Sequence, residues 1–431
     1  MYLLKDIPLQ FGIDNLGLMF LILTCLMWLM NLIFSIEYMK EEKHKKRYYI
    51  FYTLTLLTMI GVCLSRNLIT MYMFYEGMAV VSLPLVLHEQ TVEAVKAGKK
   101  YIFYSIGGAF LGLSGFFFIY IFGDTLSFVP GGVLNTARLA GHETAMRVVS
   151  LLVIIGFGSK AGLFPLHSWL PTAHPVAPSP ASAFLSGNIT KMGVFVIIRY
   201  IYYLVGVDFI RGTWVQYTFI GLTLLTIVMG SMMAYKEQVF KKRLAYSTVS
   251  QVSYALFGIA LMNPIGLCGG LMHVIFHSFV KNTLFMTAGS IIHKTGLKKV
   301  GDYVDMARKM PATMWCYTLV SLTLVGIPPT SAFLSKWYLA TGSLESSLSV
   351  VSWLGPLMLI ISALLTAGYL LSITLKAFFP GDEYDYPVLE KRDPNLYMLI
   401  PIMILTAGSV LMGIWATPLI RFINIIVWSV Q

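Results

Sequence analysis

Several ionisable side chains in this sequence lie in runs otherwise built from apolar residues. Glu76 lies in NLITMYMFYEGMAVVSLPLVL, Lys160 in GFGSKAGLFPLHSW and Lys191 in SPASAFLSGNITKMGVFVIIRY. His273, His277 and Lys281 share LMHVIFHSFVKNTLFMTAGSII, and Lys336 closes GIPPTSAFLSKW. Taken out of water, an amine gives up its proton more readily, and a carboxylate beside it restores the ammonium form. Lys160 opposed by a titratable Glu76 is therefore a switchable proton carrier. Histidine adds a group that titrates near neutrality. His273, His277 and Lys281 are spaced by four, which stacks them on one helix face as a row of titratable groups. Zinc competes as a reading of HVIFH, but the intervening glutamate and a third ligand are missing.

These groups need elements to hold them, and composition sets the class. Of 431 residues, 57% are hydrophobic and 12% charged, and the mean hydropathy is +0.74. A soluble domain of this size could not keep so much apolar surface from water. Several runs exceed the roughly 20 residues that cross a bilayer core, and the alternating strands of a barrel are missing. The sequence predicts an all-α polytopic membrane bundle of about twelve spans, at 12–36, 49–65, 67–88, 101–122, 147–166, 180–204, 213–235, 245–262, 265–293, 314–339, 350–378 and 396–427. A charge at the bilayer centre costs at least about 2.5–3.5 kcal/mol, so the groups held there point to function. For Arg199 and Lys376, close to helix ends, snorkelling to the interface is the simpler reading.

Loop charges predict the orientation. Nineteen lysines and arginines, from Lys40 to Arg392, fall in loops on one side, against seven on the other. The positive-inside rule then places the basic loops in the cytoplasm and both termini outside, across the cell's inner membrane. The net charge of +11 is thus a topology signal and does not point to nucleic acid. The first span is too long for a cleaved signal peptide and has no small-residue cleavage site. Cys25, Cys63, Cys268 and Cys316 lie within spans with no CxxC spacing, which argues against disulfides and iron–sulfur ligation. No phosphate loop or dinucleotide fingerprint occurs, so no cofactor is expected in this chain.

Prolines break two spans beside a lysine, at Pro165 and at Pro328–Pro329. Non-helical backbone survives at membrane depth only where protein or water satisfies it, so a break brings polar groups to the charge it flanks. The two breaks lie five spans apart, and an odd number of crossings inverts a repeat. The expected organisation is an N-terminal span and basic loop (1–48), a first five-helix repeat (49–205), a second, inverted repeat (206–380) and a C-terminal loop and span (381–431). Lys160 and Lys336 would be counterparts.

HSWLPTAHPVAPSPASAFLSGNITKMG, MHVIFHSFVKNTLFMTAGSIIHKTG and GIPPTSAFLSKWYL resemble, in order, signature blocks of the antiporter-like membrane subunits of complex I, membrane-bound hydrogenases and Mrp-type cation/proton antiporters. The resemblance covers nearly the whole chain. It implies Glu76 and Lys160 as a coupled pair, Lys191 as a central connecting lysine, His277 with Lys281 as the central histidine/lysine helix, and Lys336 as the terminal lysine of the outward half-channel. His273 extends that helix face. FGIDNLGLMF resembles the start of the family's third helix, so the first two helices are expected to be missing. A long lateral helix after the last span is not expected either.

The expected function is proton translocation by one membrane subunit of a redox-driven respiratory or hydrogenase-type complex, with no redox chemistry in this chain. Expected partners are other membrane subunits, antiporter-like paralogues among them, an iron–sulfur redox module, the lipid bilayer, and H⁺ or Na⁺. The alternative is a subunit of a multisubunit Na⁺/H⁺ antiporter. A non-transporting scaffold and a quinone-reactive enzyme are further readings, and no residue marks a quinone cavity.

Overall fold

Local signals set the helix ends. Asp14, Asn67, Thr91, Asn263 and Asn395 each accept a hydrogen bond from the backbone N–H three residues on, which satisfies a donor that the first helical turn leaves orphaned. The computed structural model describes residues 2–4, 7–381, 384 and 393–430. Lys5, Lys391 and Arg392, which enter the loop-charge count, lie outside the described residues.

The helices are α1 (Asn15–Tyr38), α2 (Lys45–Cys63), α3 (Leu68–Val86), α4 (Val92–Phe122), α5 (Glu143–Ala161) and α6 (Leu170–Val176). They continue with α7 (Ser179–Val205), α8 (Trp214–Lys236), α9 (Phe240–Ala260), α10 (Pro264–Thr295) and α11 (Pro311–Val325). The series closes with α12 (Ser331–Leu344), α13 (Ser349–Phe378), α14 (Leu396–Ile414) and α15 (Thr417–Val430). Short helical turns occur in the connections, and the only strands among the described residues are an antiparallel pair, Tyr2–Leu4 with Ile7–Pro8.

Eight helices, α1, α3, α4, α5, α7, α8, α13 and α14, are long and apolar enough to cross a membrane. The protein is a polytopic, helical membrane protein. Apolar length alone accounts for eight of the about twelve spans expected, and polarity and breaks set the others apart. α2, α9 and α10 are 19, 21 and 32 residues long but carry more polar side chains. The runs expected at 314–339 and 396–427 are each two helices, α11 with α12 and α14 with α15.

Burial separates a centre from a periphery. Every residue of α7 is buried, as are all residues of α10 from Gly266 to Ile291 except Phe279. α4, α13 and α14 instead present Phe103, Phe110, Trp353, Leu364 and Leu411 outward, each more than half exposed. The outer helices face lipid, and the inner ones are solvated only by protein, which is where ionisable groups need partners most.

Candidate functional site

Two broken helices carry the lysines at 160 and 336. α5 ends one residue after Lys160, where Gly162 turns the backbone left-handed at φ +81°. α11 ends in the same way at Gly326, φ +92°. Glycine occupies that region without the Cβ penalty other residues meet. Lys160 lies two residues before its glycine, whereas Lys336 follows its own break, on α12.

Lys336 reaches back across the break. Its Nζ donates to the carbonyls of Leu324 (2.7 Å) and Val325 (2.8 Å) and lies 5.3 Å from the ring centre of Tyr254. These carbonyls are the negative end of the α11 dipole, a favourable place for a cation. Leu324 stands two residues before Gly326, as Lys160 stands before Gly162. Lys336 thus brings its amine to the turn that Lys160 occupies in its own half-helix.

Lys160 has no such support. It is 1% exposed, and its Nζ has no hydrogen-bond partner among the described residues. The ring centres of Tyr75 and Tyr101 lie 5.2 Å and 5.5 Å from it. Glu76, half-buried on α3, is near enough to interact electrostatically, and its Oε1 is also unpartnered. Among the described residues the two are not in ion-pair contact.

A polar chain lies between these half-sites. Lys191, on α7 just after the π-helical turn Leu185–Ile189, donates to the Ser186 carbonyl. The Ser186 hydroxyl is 2.6 Å from Thr248 Oγ1, Thr248 donates to the Leu244 carbonyl, and Lys281 donates to the same carbonyl at 3.1 Å. Hydrogen bonds through three residues therefore link the two central lysines. His277 is buried with both ring nitrogens unpartnered. Its ring stacks on His273 (5.9 Å, 11°), which stacks on Tyr254 (5.2 Å, 17°). His273 Nδ1 is 3.0 Å from Ser335 Oγ, next to Lys336. Lys191 is thus linked to Lys281, and His277 through His273 and Ser335 to the neighbourhood of Lys336, in one buried row with no hydrogen bond between Lys281 and His277 among the described residues. Glu76 and Lys160 stand apart from it, with no hydrogen bond from Lys160 Nζ toward Lys191.

Sequence reasoning missed three groups along the same interior. His174 on α6 is fully buried, stacked on Phe285 at 4.8 Å, with both ring nitrogens unpartnered. Lys241, counted above as a loop cation, is 7% exposed and donates to the carbonyls of Ala177 and Pro175. Gln251 on α9 is buried with neither amide atom bonded. The proline-rich stretch AHPVAPSP was the available signal for His174, since prolines leave carbonyls for a neighbour such as Lys241.

Arg199 corrects the snorkelling reading. Its side chain is 0% exposed and forms a two-pronged bond to Asp14 at 2.6 and 2.7 Å, enclosed by Phe128, Phe195 and Tyr203. Arg66 shares Asp14 at 3.1 Å. Lys376 is exposed at the end of α13, as snorkelling expects.

Known proteins supply an independent comparison. The family described as NADH:quinone oxidoreductase/Mrp antiporter, TM, matches residues 65–366, and that described as NADH-ubiquinone oxidoreductase (complex I), chain 5 N-terminus, matches residues 4–49. NADH-quinone oxidoreductase subunit N of Desulforudis audaxviator is 29% identical over 94% of this chain and 82% of its own length. A Na⁺/H⁺ antiporter subunit of Bacillus subtilis is 27% identical over 94% of this chain and 80% of its own. In fold, the chain is similar to one from the membrane-bound sulfane sulfur reductase, an archaeal respiratory membrane complex. The TM-score is 0.85 at 22% identity, over 99% of this chain and 84% of that one.

Proposed function

The chain belongs to the NADH:quinone oxidoreductase/Mrp antiporter transmembrane family, and from that premise we propose that it is the proton-translocating, antiporter-like subunit of a redox-driven respiratory or hydrogenase-type membrane complex. The observation that carries this reading is the buried line of titratable groups, several with no protein partner: Glu76, Lys160, His277 and one nitrogen of His273. Native interiors leave few polar atoms unpaired, and those they leave need a reason. Exchange of a proton is such a reason.

In this proposal a charge change in a neighbouring subunit shifts the Glu76–Lys160 pair. The shift is felt by Lys191, passes to Lys281 and the histidine stack, and ends at Lys336 on the outward side. Lys191 and Lys281 each donate to a backbone carbonyl, of Ser186 and of Leu244, and a carbonyl does not pass a proton on, so the steps from Lys160 to Lys191 and from Lys191 to Lys281 both need intervening water. The chain carries no redox step of its own. Electrons would travel through an iron–sulfur module in partner subunits. The two halves, 49–205 and 206–380, act as inverted repeats around the central lysines, with the basic loops in the cytoplasm and the termini outside the inner membrane.

The test is proton pumping by the intact complex on addition of its electron donor. Lys160→Ala and Lys336→Ala are each expected to abolish most of it while electron transfer continues. Unchanged pumping in both variants overturns the proposal. A second reading, a subunit of a multisubunit Na⁺/H⁺ antiporter, is favoured by the similarity to the Bacillus subtilis antiporter protein. It predicts sodium-dependent proton movement without any electron donor.

A further inference from the structure

Arg243 differs from the other buried arginine. Arg199 has Asp14 as counter-ion, whereas Arg243, only 4% exposed, is in no ion pair among the described residues. Its Nε donates to the Glu237 carbonyl (2.8 Å) and its Nη1 to the Tyr369 carbonyl (2.8 Å), with Ser372 Oγ at 3.4 Å. Those bonds fix the guanidinium in place without giving it an ion-pair partner. Burying a cation without a counter-charge is costly. The Glu237 carboxylate acts on it only from a distance: it is in contact with Lys242 at 2.7 Å and accepts from the backbone N–H groups of Gln238 and Val239.

The guanidinium faces a pocket of about 240 Å³ between α8, α9 and α13, on the side of the basic loops. Tyr235, Gln238, Ser372 and Lys376 also line it, and no carboxylate does among the described residues. The pocket therefore offers two cations, two hydroxyls and an amide. Above it the two flanking helices turn apolar side chains outward: Met232 and Met233 on α8 (47% and 40% exposed), Leu364 and Leu375 on α13 (68% and 59%). Tyr235, 55% exposed, has the amphipathic ring found at headgroup depth.

We propose that this pocket binds the phosphate group of an anionic phospholipid, with Arg243 and Lys376 on the phosphate oxygens and the acyl chains along α8 and α13. Guanidinium and ammonium groups at this depth match phosphate chemistry, and the cytoplasmic leaflet is where anionic headgroups are abundant. A free phosphate ion offers the same oxygens but gains nothing from the apolar flanks, which separates the two sources.

The test uses the full chain in phosphatidylcholine nanodiscs, titrated with phosphatidylglycerol and, separately, with inorganic phosphate, reading retained lipid by native mass spectrometry and thermal stability in parallel. Phosphatidylglycerol is expected to be retained over phosphatidylcholine, and Lys376→Gln to reduce that preference about fivefold. The Lys376 side chain is exposed and makes no hydrogen bond among the described residues, so this variant should fold. Arg243→Gln is expected to lose the preference altogether, and is read only where its unfolding remains cooperative. Equal retention of the two lipids, or a preference that survives Lys376→Gln unchanged, overturns the proposal. Stabilisation by inorganic phosphate alone, with no retained anionic lipid, overturns the lipid as its source.

Discussion

The two broken helices solve one problem in opposite ways. Both stop at a left-handed glycine and both present an amine at the turn two residues before it. Around Lys336 the protein supplies acceptors, the carbonyls of Leu324 and Val325. Around Lys160 it supplies two tyrosine faces and a carboxylate out of ion-pair contact. One lysine is anchored, the other is poised. A proton relay needs both kinds of place: one that releases charge when a neighbour moves, and one that holds it.

The contrast breaks most visibly under deletion of each amine. Lys336→Met leaves two helix-end carbonyls without their donor, at about 1–3 kcal/mol each, so a loss of about 2–6 kcal/mol is expected in unfolding of the purified chain. Lys160→Met removes an amine that has no acceptor, and stability should hold or rise. Equal losses in both variants would erase the distinction.

Next in size is Gly413 on α14. A Cβ there would meet the Pro329 carbonyl at 2.3 Å and the Ser331 nitrogen at 2.4 Å, in the break that Lys336 bridges. Gly413→Ala is expected to cost about 1–3 kcal/mol and to slow transport by displacing that break. Full transport with normal stability would show that α14 does not support it.

A smaller effect is expected from the rings. Tyr75→Leu and Tyr254→Leu each remove one aromatic face from a lysine, worth about 0.5–2 kcal/mol. Tyr254 also stacks on His273, so its loss should slow transport more than that of Tyr75. The reverse order would place the sensitive step at Lys160. Smallest is Ser335→Ala, which takes one hydrogen-bond partner from His273, about 1 kcal/mol, and is expected to shift the pH profile of transport with little change in stability.

Much of the plan was legible in the chain. Hydropathy placed most helices within about five residues, α4 excepted, which starts at Val92 where the span was expected from 101; the prolines marked the breaks after Lys160 and before Lys336, and spacing by four brought His273 to stack on His277. The break at Trp415–Ala416 was missed although Pro418 follows it directly, because the run at 396–427 is apolar enough on both sides to read as one span. Lys241 read as a loop cation, because its acceptors at Pro175 and Ala177 are 66 and 64 residues away. Arg199 read as snorkelling, because Asp14 lies 185 residues off in the chain.

By itself the sequence determined that this is a membrane protein, where most of its helices lie, and which residue types sit inside. Those properties depend on transfer from water and on backbone geometry, both set within a turn or two of chain. Only the tertiary structure decided which buried charge has a partner. Partnership depends on groups from helices far apart in sequence meeting at hydrogen-bond distance, and a neighbour an ångström further away no longer compensates the charge. That is why Lys336 and Lys160, each a lysine beside a glycine-terminated half-helix, end in different chemical surroundings.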